Sequence, residues 1–351
     1  MAADRLQQWR RLSQAGFMLL FLIAPAVDLL RFDLHERQLW LFGQPWSLGL
    51  SDLQAGRVGV SHTVLTLLTH GLLPLLLLVG GFLAVAWRQG RLYCGWLCPH
   101  FSLVEAINAV LQRACGRLSL WDRTPVPLAG GRHPQRRWWV VYGLACVLAG
   151  TAWGITLLCY LLPPAEVWGG LLHGSSTPGQ LRFIVIASGV FALEFALARH
   201  LFCRYGCAVG LFQSLVWMAN PRARVVGFAR ERAAHCRGCV PDATRPTVQA
   251  SACEQACPMR LTPRQTKRWM FACVQCGRCL TACDRAQHTR AALEGGVGVT
   301  PLLQWTVGSD AFRESLRQRR PVAAVAAPPA AAPAPTPART LPPPDPKTEE
   351  S

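Results

Sequence analysis

Eight cysteines in the last third of the chain have the spacing of iron–sulfur ligands. The second half of this array reads Cys273-Val-Gln-Cys276-Gly-Arg-Cys279-Leu-Thr-Ala-Cys283, a C-x2-C-x2-C-x3-C run. The first half is Cys236-x2-Cys239 and, after a gap, Cys253-x3-Cys257-Pro258. Runs of this kind hold two cubane clusters, and the fourth cysteine of each run ligates the other cluster. The chemistry that the array predicts is one-electron transfer.

The crossing rule predicts two [4Fe–4S] sites with four ligands each. The ligands of one site are Cys236, Cys239, Cys253 and Cys283, and those of the other are Cys273, Cys276, Cys279 and Cys257. Thirteen residues, 240–252, separate the second and third cysteines of the first group. A compact ferredoxin has about two residues there. Cys253 is therefore predicted as a ligand across an unusually long gap.

A pair of structural zinc knots is the alternative, because C-x2-C pairs also bind zinc. Zinc needs two such pairs per ion, and neither Cys279 nor the C-x3-C-Pro ending has a role in that arrangement. The spacing therefore favours iron–sulfur clusters. By the sign of their charge, the nearby Arg237 and Arg278 are expected to favour the more negative, reduced clusters.

Four more cysteines form a repeated motif. Arg91-Leu-Tyr-Cys94-Gly-Trp-Leu-Cys98-Pro99 and His200-Leu-Phe-Cys203-Arg-Tyr-Gly-Cys207-Ala208 both read Leu, aromatic, Cys, any, aromatic, any, Cys. A four-residue step places both thiols of a pair on one helix face. The two pairs could bind copper(I), zinc or another cluster, or could cycle as dithiols. Buried, inert cysteine is the structural alternative. The repetition favours a catalytic role for Cys94, Cys98, Cys203 and Cys207.

The composition indicates a membrane protein. Of the 351 residues, 51% are hydrophobic and only 16% are charged, and the mean hydropathy is positive. The net charge of +17 lies in short loops between apolar runs, as the positive-inside rule expects. No nucleic-acid-binding motif accompanies this charge, so no nucleic-acid partner is expected.

Four apolar runs predict transmembrane helices over residues 15–30, 63–87, 138–162 and 182–200. The loops alternate between neutral and strongly basic, which predicts both termini and the ferredoxin segment in the cytoplasm of a bacterial inner membrane. A C-x3-C motif follows the second and the fourth run, which predicts a duplicated two-helix hairpin.

We predict three regions from these patterns. Residues 1–220 form a four-span α-helical membrane domain with both C-x3-C motifs at its cytoplasmic face. Residues 221–300 form a small α+β ferredoxin-like domain with two [4Fe–4S] clusters, and 301–351 are a basic extension followed by an Ala/Pro-rich tail expected to be disordered. Glu194 inside the fourth run is a functional candidate, because ionisable groups in membranes are costly. An ion pair with Arg199 is its structural alternative.

With these motifs, the chain resembles the bacterial membrane polyferredoxins over roughly residues 15–290. The family includes the NapH and NosR iron–sulfur subunits of nitrate and nitrous oxide reductase systems. It also includes the accessory protein of cbb-type cytochrome c oxidases (CcoG, RdxA or FixG), which the chain resembles most. The shared features are the cysteine motifs above, Phe32-Asp-Leu, Leu41-Phe-Gly43, Phe212-Gln-Ser214 and Ala282-Cys283-Asp284.

The resemblance implies electron transfer through clusters at the cytoplasmic face, between a donor protein or a quinol and a respiratory complex or its assembly factors. Likeness to the accessory protein implies reduction of copper at the C-x3-C-Pro pair. Two rival functions are a quinol dehydrogenase subunit, with Glu194 or Asp28 accepting protons, and a non-catalytic assembly scaffold or redox sensor. The chain departs from the family at Ala208, where proline is expected, and in its tail, which stands in place of an immunoglobulin-like domain.

Overall fold

The structure is a computed structural model. It describes residues 2–122, 133–229, 232–233, 236, 251–264, 270–293 and 300–307. Cys239, Arg237 and the tail predicted from residue 321 onward lie outside the described residues.

Helices make up most of the described chain. In chain order they are α1 (Ala2–Ile23), α2 (Leu50–Gln54), α3 (Val60–Gln89), α4 (Leu92–Trp96), α5 (Pro99–Cys115), α6 (Trp138–Cys159), α7 (Pro164–His173), α8 (Pro178–Ala198), α9 (Ala208–Ala219), α10 (Ala252–Gln255) and α11 (Arg278–Leu293). The strands are β1 (Leu30–Asp33), β2 (Gln38–Leu41), β3 (Gln44–Trp46), β4 (Val225–Phe228) and β5 (Leu303–Thr306).

Three helices of the described chain are long and apolar enough to cross a membrane. They are α3, with 30 residues, α6, with 22, and α8, with 21, and the mean hydropathy of their best windows is between 1.8 and 2.0. A helix of about 20 apolar residues spans the hydrocarbon core of a bilayer. These helices correspond to the second, third and fourth predicted spans, and the protein is a membrane protein.

The first predicted span differs from the structure. We expected a helix over residues 15–30, but α1 begins at Ala2 and ends at Ile23. The helix ends just before Pro25, because proline lacks an amide hydrogen and restricts the residue before it. Its first half carries Asp4, Arg5, Arg10 and Arg11, and α1 is not among the three helices that could cross a membrane by length and composition. The prediction of four spans is therefore not confirmed.

A small antiparallel sheet, β1-β2-β3, lies at the carboxyl end of α6. The amide of Phe32 donates to the carbonyl of Tyr160 at 2.9 Å, and that of Leu34 donates to the carbonyl of Leu161 at 3.0 Å. Helix α1 reaches the same end, because the ring of Phe21 stacks on that of Tyr160 with 5.4 Å between centroids. The second half of α1 thus packs beside α6.

Small residues allow α6 and α8 to pack closely. A Cβ atom added at Gly150 would lie 2.6 Å from the amide nitrogen of Ala192, and one at Gly154 would lie 2.8 Å from the Ser188 hydroxyl. Close backbone approach is a common means of helix association in membranes. The amphipathic helix α5 covers another face of α6, where Ile107 and Leu111 join Tyr142 and Trp153 in one buried cluster.

One hydrophobic core joins residues on both sides of position 220. Phe101 of α5 and Trp217 of α9 are each 1% exposed and pack in the same cluster as Met259 and Met270. The C-x3-C segments and the ferredoxin cysteines therefore share one packed interior. The boundary predicted at residue 220 stays a prediction.

Replacing Gly150 with alanine should destabilise the protein. The added Cβ meets backbone atoms of α8 that have no flexible side chain to move aside, and overpacking of this kind costs about 1–3 kcal/mol. Gly143 lies on the same helix with nothing within 4 Å of an added Cβ. Gly143→Ala should therefore be neutral or stabilising by up to about 1 kcal/mol, because alanine is the better helix former. Thermal unfolding of both variants in detergent measures the difference, and equal midpoints would contradict the packing described.

Candidate iron–sulfur site

Four cysteines surround one cavity in the extramembrane part of the protein. They are Cys257, Cys273, Cys276 and Cys279, the four ligands predicted for the second cluster. The other walls of the cavity include Val226, Met259, Leu261 and Met270. A set of four soft thiol donors around an apolar cavity fits a [4Fe–4S] cluster.

The loop between Cys273 and Cys279 is curled by two residues in the left-handed region. Gln275 has φ +54° and Gly277 has φ +69°. Glycine adopts this conformation at little cost. The fourth cysteine, Cys257, follows α10, which begins with a capping box between Ser251 and Glu254. Two segments that are separate in the sequence thus present their thiols to one cavity.

The pKa values of these thiols are raised by burial. Burial first, and then the charge of Cys276, raises the pKa of Cys257 to about 11. The pKa values of Cys273, Cys276 and Cys279 are raised as well, again mainly by burial. Because metal ligation requires thiolates, the four thiols ionise together only beside a positively charged group. An iron–sulfur cluster would supply that charge.

Zinc fits this arrangement less well. Within the described ranges, no three histidine, cysteine or acidic side chains are grouped closely enough to hold a single metal ion. A structural zinc ion needs four ligands at about 2.0–2.3 Å. The four cysteines line one cavity without forming such a close group.

The other predicted ligand set lies in a second buried cluster. Cys253 and Cys283 are each 5% exposed there, and Cys236 packs against them, together with Phe228 of β4 and Leu303 of β5. The structure therefore brings Cys253 beside Cys236 and Cys283 in spite of the thirteen-residue gap. The fourth member of this set, Cys239, lies outside the described residues.

The C-x3-C pairs depart from the predicted helical arrangement. Cys94 lies in the short helix α4, whereas Cys98 has extended backbone (φ −63°, ψ 115°) and is the N-cap of α5. Likewise Cys203 lies in a π-helical turn and Cys207 is the N-cap of α9. Pro99 favours this break, because proline disfavours helical backbone in the residue before it. The prediction that both thiols of a pair share one helix face was wrong.

The four thiols of the two pairs are nevertheless neighbours. Burial, and then the charge of Cys98, raises the pKa of Cys94 to about 12, and Cys207 contributes to the same shift. Burial and the charges of Cys98 and Cys94 raise the pKa of Cys203 well above its usual value. Cys94, Cys98 and Cys203 also pack against the buried cluster that contains Cys257 and Cys276. We call Cys94, Cys98, Cys203 and Cys207 the thiol quartet.

The first C-x3-C segment is in direct contact with the cysteine loop of the cavity. The indole nitrogen of Trp96 donates to the carbonyl of Gln275 at 3.1 Å. A Cβ atom added at Gly95 would lie only 2.0 Å from the carbonyl oxygen of Val274. On the other side, Arg10 and Gln14 of α1 donate to the carbonyl of Gly95 at 3.1 and 3.2 Å.

A buried carboxylate ties α1 and α11 to this segment. Glu105 accepts hydrogen bonds from Arg10 at 2.8 and 3.1 Å and from Arg278 at 3.0 Å. Burial alone would raise the pKa of Glu105, but the hydrogen bonds and charge of Arg10 outweigh it and lower that pKa. Arg278, predicted from its charge to favour reduced clusters, is thus partly neutralised by Glu105.

Sequence reasoning missed His100. Its Nε2 lies 2.9 Å from a carboxylate oxygen of Glu194, and its Nδ1 lies 3.6 Å from the sulfur of Cys203. Glu194 therefore pairs with His100 and not with Arg199, which instead donates to the Tyr142 hydroxyl. The position of His100, directly after Cys98-Pro99, was the available signal. Asp28, the other acidic candidate, forms an ion pair with Arg31 beside β1, in the turn after α1.

Comparison with known proteins identifies the family of this chain. A family model described as a 4Fe-4S binding domain matches twice, at residues 72–117 and 180–225. These two stretches contain the thiol quartet and none of the eight cysteines predicted as cluster ligands. The methylamine utilization ferredoxin-type protein MauN of Methylorubrum extorquens is 30% identical over 70% of this chain and 77% of its own length.

The ferredoxin-type protein NapH of Haemophilus influenzae is 23% identical over 80% of this chain and 88% of its own. Protein RdxA of Cereibacter sphaeroides is 22% identical over 65% of this chain and 48% of its own. No solved structure matches. The chain therefore belongs to the family of membrane polyferredoxins that includes MauN and NapH, a family of ferredoxin-type iron–sulfur electron-transfer proteins.

Proposed function

We propose that the protein passes single electrons through two [4Fe–4S] clusters, to or from a redox partner that binds at the thiol quartet. The observation that carries this proposal is the cavity ringed by Cys257, Cys273, Cys276 and Cys279. Two separate cysteine runs meet there, as the crossing rule for two-cluster ferredoxins requires. Bound clusters would supply reversible one-electron chemistry at this site.

The protein's own residues bury and fix the ligands. One cluster would be held by Cys257, Cys273, Cys276 and Cys279, and the other by Cys236, Cys239, Cys253 and Cys283. Apolar walls such as Met259 and Leu302 exclude water from the thiols. Burial and hydrogen bonding of cluster sulfurs are the means by which a protein sets cluster potentials.

For the topology, we propose a bacterial inner-membrane protein with the ferredoxin part in the cytoplasm. Basic residues at the carboxyl end of α3 and directly after it, among them Arg88 and Arg91, support this orientation. The apolar half of α1, which packs on α6 through Phe21, is the candidate for a fourth crossing. The two matches to one family model support a duplicated hairpin.

Copper reduction is one candidate for the chemistry at the quartet. Soft thiols suit copper(I), and Cys94, Cys98 and Cys203 pack against the cluster site. Copper would be the substrate and not a resident cofactor. The acceptor in the cell would then be a respiratory oxidase or one of its assembly factors.

Quinol oxidation is the second candidate, and the pair of His100 and Glu194 favours it. A quinol releases protons as well as electrons, and this largely buried pair lies near the end of the membrane helix α8, beside Cys203. A third candidate is a non-catalytic assembly scaffold or redox sensor. A scaffold, unlike an electron carrier, would keep its function when the clusters cannot be reduced.

Anaerobically purified protein should carry about eight iron atoms and about eight acid-labile sulfides per chain, as two cubane clusters require. Iron and sulfide assays on the full chain in detergent measure this. Colourless protein that contains zinc and almost no sulfide would overturn the proposed function.

Two variants separate the candidates. If copper is the substrate, the double substitution Cys94→Ser and Cys98→Ser should abolish reduction of Cu(II) by the dithionite-reduced protein, while iron content stays unchanged. If a quinol is the donor, Glu194→Gln should abolish cluster reduction by a quinol analogue in membranes, because the proton acceptor is lost. Each variant serves as the control for the other, and the electron paramagnetic resonance (EPR) signal of the reduced clusters monitors both reactions. Retention of both activities would contradict both assignments.

A further inference from the structure

We propose that only one of the two cluster sites exchanges electrons with the thiol quartet, and that it does so through the peptide of Gly95. That site is the cavity of Cys257, Cys273, Cys276 and Cys279, which we call the proximal site. The inference rests on the proposed function and adds an order of carriers to it. Gly95 is a positioning residue in this scheme, because it acts by bringing two backbones together.

The contact at Gly95 is closer than any side chain permits. An added Cβ would lie 2.0 Å from the carbonyl oxygen of Val274 and 3.5 Å from the amide nitrogen of Cys276. Gly95 is bonded directly to Cys94, and Val274 is bonded directly to Cys273. One through-space step thus connects a quartet residue to a proximal ligand by way of two peptides.

Hydrogen bonds hold both sides of this contact in place. Arg10 and Gln14 fix the carbonyl of Gly95, and Trp96 is bonded to the carbonyl of Gln275 at 3.1 Å. From α1, Gln7 donates to the carbonyl of Cys276 at 3.0 Å. Because peptide groups form this contact and hydrogen bonds fix both of its sides, the separation between the two segments stays constant. The rate of electron transfer between fixed centres depends on that separation.

The other cluster site lies in a different buried cluster from the one against which the quartet packs. Its described members Cys236, Cys253 and Cys283 pack with strands β4 and β5, and that buried cluster includes no quartet cysteine among the described residues. It does include Cys279, a ligand of the proximal site. The order of carriers is therefore quartet, proximal site, distal site, with the distal site available to a donor outside the membrane.

The step to be tested moves one electron and no proton. A reduced cluster held by the proximal cysteines would lose one electron, and Cu(II) bound by the quartet would gain it and become Cu(I). Cu(II) serves here as the probe acceptor. Protein reduced with dithionite and then desalted is mixed with Cu(II), and the loss of the reduced-cluster EPR signal gives the rate.

Part of the EPR signal loss is expected to depend on the quartet thiols. We define the thiol-dependent rate as the wild-type rate of signal loss minus the rate in the Cys94→Ser, Cys98→Ser double variant. Gly95→Ala should abolish the thiol-dependent rate while iron content and the EPR signal before mixing stay at the wild-type level. Trp96→Phe, which removes the hydrogen bond to Gln275 and part of the ring but adds no atoms, should lower the same rate. Gly143→Ala, on α6 with open space around it, is the matched control and should keep the full rate.

Full thiol-dependent rates in both Gly95→Ala and Trp96→Phe would overturn the proposed path through the Gly95 peptide. If Gly95→Ala loses its iron, Trp96→Phe alone decides, since that variant adds no atoms at the contact. A wild-type protein with about eight irons but no thiol-dependent rate would overturn the proposed path through Gly95, while the proposal of two clusters would stand. A wild-type protein without iron would instead refute the proposed function itself.

Discussion

Burial of thiols in an apolar interior is the constraint on which the site depends. A cysteine that is removed from water resists ionisation, and Cys257 and Cys273 both show this as a raised pKa. Several such thiols can be ligands only when a positively charged group compensates their charge. The left-handed residues Gln275 and Gly277, the capping box of α10 and the Met259 core all serve to hold the thiols around such a group.

The extramembrane and membrane parts are joined by polar contacts as well as by this core. Glu105 connects α1, α5 and α11 through Arg10 and Arg278. Arg91, 1% exposed, donates to the carbonyl of Cys203 at 2.7 Å and so links the two C-x3-C segments. Buried ion pairs of this kind add little net stability but strongly favour one arrangement, because breaking them leaves a buried charge unpaired. The cluster loop and the thiol quartet therefore keep one relative position.

Local residue spacing predicted much of the fold and of the candidate site. The features that it did not predict depend on partners that are far apart in the sequence. Cysteine spacing alone placed Cys257 with Cys273, Cys276 and Cys279, and hydropathy located α3, α6 and α8. Helix α1 extends farther back than predicted, because the charge of Arg10 is matched by Glu105, 95 positions away. The pair of His100 and Glu194 was missed for the same reason, since the two residues are 94 positions apart. No local sequence pattern indicates a partner at such a distance along the chain.

The placement of α1 has a consequence for how the chain is made. Its charged half lies against the cysteine loop and α11, with Gln7 bonded to Cys276 and Asp4 paired with Arg285, 281 positions away. Chains emerge from the ribosome with the amino terminus first and at a limited rate. Helix α1 is therefore synthesised well before α11, the segment that carries partners of its polar side chains. Completion of the ferredoxin part and the docking of α1 become one late, shared event in biogenesis.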